Sequence, residues 1–257
     1  MTKHASSHAN SDKKESFDTT HLEPIGNGTE SRVYKYDENY ALIITEYPFA
    51  TAAKIQQLCD IDTKQILLPR KLLAERTYLS NLVIPSKNPD PLYNMSTKQF
   101  IRNIKVLKDD FSLLTDNGIA LIDTGTYNTM FGTLTPHSES QVDDSIFLID
   151  VNRFVSQKYS EPTEALTLTS SPASHNNRAF VSTINSILLD LITRPIVSGS
   201  KPEQEGLMRI IQAANYQTDK EYPIKSTEER LAGFTTISEY IDQINPKATC
   251  YKKQTKK

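Results

Sequence analysis

The strongest constraint on the fold is the segment Ile25-Gly26-Asn27-Gly28-Thr29-Glu30-Ser31-Arg32-Val33-Tyr34, of the form G-x-G-x-x-S-x-V. The Gly-x-Gly of a dinucleotide-binding fold or a phosphate-binding P-loop must open a helix. Here it is followed by Val33-Tyr34-Lys35-Tyr36, which favours a strand. The segment therefore reads as a flap between two antiparallel strands. Glycine in such a flap lets backbone N–H groups come close to a phosphate. On this stretch alone, an ordinary hairpin is an equal reading. The chain has only 8 glycines in 257 residues, about half the usual share of roughly 7%. Four of them fall at two places: Gly26 and Gly28 in the flap, Gly118 and Gly125 around Asp123.

Composition excludes several classes. Apolar residues make up 37% and charged residues 23%, which fits a globular chain long enough for one compact unit or two small lobes. With 29 Lys+Arg against 31 Asp+Glu, no general electrostatic footprint for nucleic acid is expected. Apolar runs such as Ile146-Phe147-Leu148-Ile149 are far shorter than the ~20 residues that span a bilayer, so no membrane partner is expected. Met1 to Asp12 lacks the apolar stretch of a secretory signal. Cys59 and Cys250 have no metal-type spacing and read as two reduced thiols, so a cytoplasmic location is expected. His4, His8 and His21 are too loosely spaced for a metal site.

Residues 1–20 have almost nothing to bury and read as a disordered polar tail; 247–257, with Lys252, Lys253, Lys256 and Lys257, read as a basic tail. Residues 21–85 read as β-rich, with strands around the flap, Tyr40-Ala41-Leu42-Ile43-Ile44 as a further strand, a short helix over 50–60, and short strands from Ile66 to Ile84 interrupted at Pro69. Residues 86–95, with Pro89 and Pro91, read as a linker. Thr97 to Asn117 is an amphipathic helix, with Phe100, Ile101, Ile104, Leu107, Phe111 and Leu114 spaced by three and four. Asn117-Gly118 ends it. Phe131–Thr135 and Ser145–Ile149 read as a hairpin. Residues 177–194, 203–215 and 227–244 are helical by pattern, after an irregular stretch from Ser156 to Asn176.

Two acidic positions stand out beyond the flap. Gly118-Ile119-Ala120-Leu121-Ile122-Asp123-Thr124-Gly125-Thr126-Tyr127-Asn128 carries Asp-x4-Asn directly after a helix. Ile146-Phe147-Leu148-Ile149-Asp150-Val151-Asn152 is an apolar strand ending in an acid, which alone also fits a turn former.

Together these elements resemble the protein-kinase-like superfamily, over roughly Leu22 to Phe154. The resemblance implies an α+β, bilobal fold with a small β-rich N-lobe (21–85), a hinge (86–95) and a reduced, mainly helical C-lobe (96–246). It implies that Gly26, Gly28 and Val33 bind ATP, that Asn128 and Asp150 hold Mg²⁺, and that Asp123 orients the acceptor hydroxyl and takes its proton.

The departures from the family pattern are large. Ile43 stands where the family has its phosphate-clamping lysine, and the helix at 50–60 has no Glu to pair with one. Leu121-Ile122 replace the usual His-Arg, Asp150-Val151-Asn152 replaces Asp-Phe-Gly, and no Ala-Pro-Glu follows. Lys54, Lys35 and Arg32 are candidate substitutes for the missing cation. The implied function is a phosphotransferase acting on a protein or small-molecule hydroxyl. The alternatives are an inactive pseudokinase serving as a binding or scaffolding module, transfer of a nucleotidyl group, and an unrelated α+β protein.

Overall fold

The computed structural model describes residues 17–88, 90–124, 128–135, 144–160, 171–193, 228–229 and 231–244. The expected tails at 1–16 and 247–257, Gly125 to Tyr127, the tip of the hairpin at 136–143, the helix over 203–215 and Cys250 lie outside the described residues.

The flap forms as the sequence predicts, because the residues after its glycines extend rather than coil. β1 (Glu23–Asn27) and β2 (Ser31–Lys35) pair antiparallel, and the Gly28 N–H donates to the Ser31 carbonyl across the turn at 2.8 Å. They join β3 (Tyr40–Thr45), β4 (Pro69–Ala74) and β5 (Thr77–Asn81) in a five-stranded sheet of order β1-β2-β3-β5-β4. Pro69 opens β4 rather than interrupting it, the position in a strand where a missing N–H costs least. The register aligns Gly26, Val33, Ile43 and Tyr78 in one row across the sheet. Ala41 and Ser80, two residues along their strands, share that face.

Helix α1 (Ala52–Cys59) covers the sheet. Its Ile55 packs in a cluster with Ala50 and Tyr78, against which Ile43 and Leu72 also lie.

The main core is built on α2 (Thr97–Asp116). Ser96 caps its N-terminus by accepting from the Gln99 N–H, and Gly118, at φ +68°, takes the left-handed position after its end. The buried stripe of α2, from Phe100 to Leu114, meets α3 (Pro172–Thr193), where Phe111 and Phe180 pack edge to face with ring centroids 6.0 Å apart. Leu58, Ile61, Ile66 and Leu68 of the first 85 residues also belong to this core. Helix α3 begins five residues earlier than its apolar pattern predicts, at Pro172, a residue suited to the first helical position.

Five short strands complete the second part. β7 (Ile119–Leu121) pairs with β10 (Phe154–Ser156), and β6 (Val83–Pro85), β8 (Thr129–Leu134) and β9 (Ser145–Leu148) form a three-stranded sheet of order β6-β8-β9. β8–β9 is the expected hairpin, begun two residues earlier. β6 is carried into this second sheet through its pairing with β8. The helical segment expected over 227–244 is broken at Gly233, at φ +91°, and restarts as α4 (Ile237–Ile244). Thr236 and Glu239 bond reciprocally at that restart, a capping box written in the sequence as Thr-x-x-Glu. The described residues form an α+β arrangement of antiparallel sheets, with which a small β-rich lobe is compatible. Among the described residues, no helix is long and apolar enough to cross a membrane.

Candidate functional site

One face of the five-stranded sheet and the β8–β9 hairpin flank a cleft of about 430 Å³. Its sheet wall is the row Gly26, Val33, Ile43 and Tyr78. Leu67, Val83 and Met130 add apolar surface, and Asn128, Asp150 and Asn152 form a polar end. Apolar walls with a few convergent polar groups are the usual make-up of a small-molecule site.

The flap closes directly over Asp150. A Cβ placed on Gly28 would lie 3.9 Å from Asp150 Oδ2 and 3.3 Å from Ser31 Oγ. Ser31 Oγ donates to Asp150 Oδ1 at 3.4 Å. Asp150 itself sits at φ +56°, a left-handed backbone that a residue other than glycine adopts at a cost. The surrounding bonds hold it there. Asn152 Nδ2 donates to Asp150 Oδ1, and the Tyr78 hydroxyl donates to Asn152 Oδ1 at 2.7 Å. Tyr78 is 2% exposed. Burial pushes its phenol far above the usual tyrosine range, with the Asp150 charge adding to the rise, so it stays a neutral donor. A chain of three side chains thus runs from the floor of the sheet to the exposed carboxylate.

Asn128 is buried beside this turn. Its backbone carbonyl accepts from the Ile149 N–H at 2.8 Å, and its Nδ2 donates to the Asp123 carbonyl at 3.2 Å. Asp123 is half-buried and does not line the cleft; Asn128 links it to the cleft wall. Helix α3 fixes the segment leading to Asp123. The Asn176 amide donates to the Ile119 carbonyl at 2.7 Å and accepts from the Leu121 N–H at 3.2 Å. His175 Nε2 lies 2.7 Å from the Leu121 carbonyl, and the Thr183 hydroxyl donates to the Thr124 carbonyl at 3.1 Å.

The structure therefore brings Gly26, Gly28, Val33, Asn128 and Asp150 to one cleft, with Asp123 one residue removed from it. It does not bring Lys54 there. Lys54 is 1% exposed, with its Nζ 5.0 Å from the centroid of the Phe154 ring. The cause is helical phase. Ile55 faces the sheet and Ile43, so its neighbour Lys54 is turned away toward β10. Arg32 and Lys35 also do not line the cleft; Arg32 pairs with Glu46 and Lys35 with Glu38. Tyr78, Asn152 and Ser31 are the residues that sequence reading missed. The Asp150-Val151-Asn152 turn carried the signal for one of them, since an Asn two residues from an Asp can bond its carboxylate.

No family model matches the chain, and no curated protein matches its sequence. Among the described residues, no group of three or more His, Cys, Asp or Glu is placed to hold a metal. The oxygen donors at the cleft end are one carboxylate, of Asp150, and the side-chain amides of Asn128 and Asn152. That set fits a hard divalent cation that keeps most of its own waters. Among the described residues, the cleft lining includes no Lys, Arg or His.

Proposed function

We propose that the chain is a divergent kinase-like protein whose cleft takes a nucleotide with Mg²⁺. The observation that carries this reading is the meeting of Gly28, Ser31 and Asp150 at one end of an apolar cleft. The base would lie against Val33, Ala41 and Met130, with the phosphates under the flap. Asn128 and Asp150 would hold Mg²⁺, which supplies the charge that neutralises phosphate oxygens. Asp123 would receive the proton of an acceptor hydroxyl, on a protein or a small molecule. Phosphate transfer is the activity that the resemblance implies, and the protein would act in the cytoplasm.

A second reading has the same cleft bind without transfer, as in a pseudokinase serving as a scaffold. Ile43 favours it, because an apolar residue in the sheet row replaces the cation that would stabilise phosphate charge. One experiment separates these readings from each other and from no nucleotide role at all. Thermal unfolding is followed with ATP, with and without Mg²⁺, in the wild type and in Asp150→Ala. Ligand at 100 times its Kd should add about 2.7 kcal/mol of stability. A Mg²⁺-dependent shift lost in Asp150→Ala supports the nucleotide site, and ATP turnover lost in Asp123→Ala then supports transfer. No shift at saturating ATP overturns both nucleotide readings.

A further inference from the structure

A second cavity, of about 400 Å³, shares no lining residue with the cleft. It lies between the loop after α1, helix α2 and the β8–β9 hairpin. Strand β9 leads from one site to the other: its Ser145 and Phe147 line the second cavity, while Ile149 and Asp150, just past its end, line the cleft.

The charge of this cavity is unlike that of the cleft. Lys64, Arg70 and Arg102 line it against a single carboxylate, Asp62. That carboxylate is already engaged, accepting from Arg70 Nη1 at 2.8 Å. Arg70 is held further by the Thr63 carbonyl at 2.9 Å, so its guanidinium is fixed before any ligand arrives. Lys64 and Arg102 have no ion-pair partner among the described residues. A chain whose formal net charge is -2 thus gathers three cations around one hollow. Arginine's planar fork matches phosphate oxygens two at a time.

The floor carries an independent mark. Gln65 is 5% exposed, and its Oε1 finds no donor among the described residues. The amide cannot simply turn over, because its Nε2 donates to Asn103 Oδ1, which also accepts from the Ile146 N–H. A buried acceptor left without a donor is rare in a folded chain and points to a missing partner. The loop that carries it is rigid: Asp110 accepts from the backbone N–H groups of Lys64, Gln65 and Ile66. Val106, Leu134 and Phe147 give the cavity an apolar wall.

We propose that this cavity binds a small phosphate monoester that also carries a hydrogen-bond donor, with the phosphate among Lys64, Arg70 and Arg102 and the donor turned to Gln65. A phosphorylated sugar has both groups and a size suited to the space. The inference stands apart from the nucleotide reading of the cleft.

The test is calorimetric titration of the full chain with ribose 5-phosphate, ribose and inorganic phosphate at constant ionic strength. Ribose 5-phosphate should saturate, tighter than inorganic phosphate, and ribose should not bind. Arg102→Ala, at an exposed position that the fold does not need, should weaken ribose 5-phosphate roughly tenfold to a hundredfold. Lys98→Ala, on the same helix outside the cavity, and Asp150→Ala, in the cleft, should leave it unchanged. Failure of both phosphates to saturate, or equal binding by wild type and Arg102→Ala, overturns the proposal. So does an equal loss in Lys98→Ala, and equal affinity for the two phosphates overturns the role given to Gln65.

Discussion

Glu30, in the turn of the flap, grips Arg153, three residues past Asp150, along one edge of the guanidinium. Arg153 Nε donates to Glu30 Oε2 at 2.9 Å and Nη2 donates to Oε1. The Tyr47 ring lies 5.7 Å from the same guanidinium. The flap is thus tied to the far side of the turn whose carboxylate it covers. Its hydrogen bond to Arg153 holds the Glu30 carboxyl below the usual carboxylate range, and that of Arg153 to Glu30 raises the guanidinium further.

The sign of the pH effect follows from Glu30. Its folded value lies below the unfolded one, so the contribution is fully present above about pH 4.5 and fades as pH falls through the lowered value. The pair is partly open to solvent, so its effect on global stability is at most about 1 kcal/mol. Glu30→Gln should instead speed local opening. Amide hydrogen exchange of residues 23–35 should rise in that variant at pH 7, and rise in the wild type on acidification relative to the chemical rate. Unchanged exchange in Glu30→Gln would show that the pair does not hold the flap.

Asp110 is 1% exposed on α2, and its carboxylate receives three backbone N–H groups from residues 64–66. Burial pushes its carboxyl up, against the opposing pull of those N–H groups. Asp110→Ala orphans three donors at about 1–3 kcal/mol each, so a loss of at least about 3 kcal/mol is expected in urea unfolding. Asp110→Asn keeps one oxygen acceptor and should cost less. Equal costs for the two would mean that the loop finds other partners.

The periodic elements were legible because burial imposes a period. The stripe of α2, the β8–β9 hairpin and the strand after Gly28 all follow from spacing alone. β10 was not legible: Phe154, Val155 and Ser156 are all buried, and three residues are too few to alternate. The family resemblance singled out Gly26, Gly28, Val33, Asn128 and Asp150, and all five line one cleft. Tyr78 was not legible, since a strand tyrosine reads as core until its hydroxyl is seen on Asn152. Lys54 misled because helix phase, not proximity in sequence, decides which of two adjacent residues faces the sheet.

Gly132 marks the place where β8 meets β6. A Cβ there would lie 2.1 Å from the Ile84 carbonyl oxygen, which is backbone and cannot swing aside. Gly132→Ala must part the two strands. A loss of about 1–3 kcal/mol is expected, the usual cost of overpacking, with faster amide exchange at residues 83–85. A thermal midpoint equal to that of the wild type would contradict the close approach.

Tyr78→Phe removes one hydroxyl and leaves the shape of the sheet wall intact. Asn152 is 5% exposed, so its Oδ1 loses its donor in a buried place. About 1–3 kcal/mol of stability should be lost. Asp150, held left-handed through Asn152, should become more mobile, so Mg²⁺-dependent ATP binding should weaken in Tyr78→Phe beyond any effect of Tyr34→Phe. An affinity equal to the wild type would show that the Tyr78–Asn152 chain does not position the carboxylate.

Ile43 and Ile55 offer the sharpest test of the kinase-like reading proposed for the cleft. Ile43 lines the cleft and packs on the cluster containing Ile55 of α1, where the kinase-like pattern would pair a lysine with a glutamate. Replacing both charges together leaves no buried ion without a partner, and a well-packed apolar pair is often as stable as the ion pair. Ile43→Lys alone should therefore destabilise the fold, since an ammonium enters an apolar cluster. Ile55→Glu alone should do so more, because Ile55 is 1% exposed. The double variant should recover part of the combined loss, by about 1–3 kcal/mol in a double-mutant cycle. It should also bind ATP more tightly than the wild type, because the sheet row would then carry a cation toward the phosphates. Coupling without a gain in ATP affinity would mean that phosphates do not lie at Ile43. Neither coupling nor gain would mean that the two positions do not stand where the kinase-like pattern puts its ion pair.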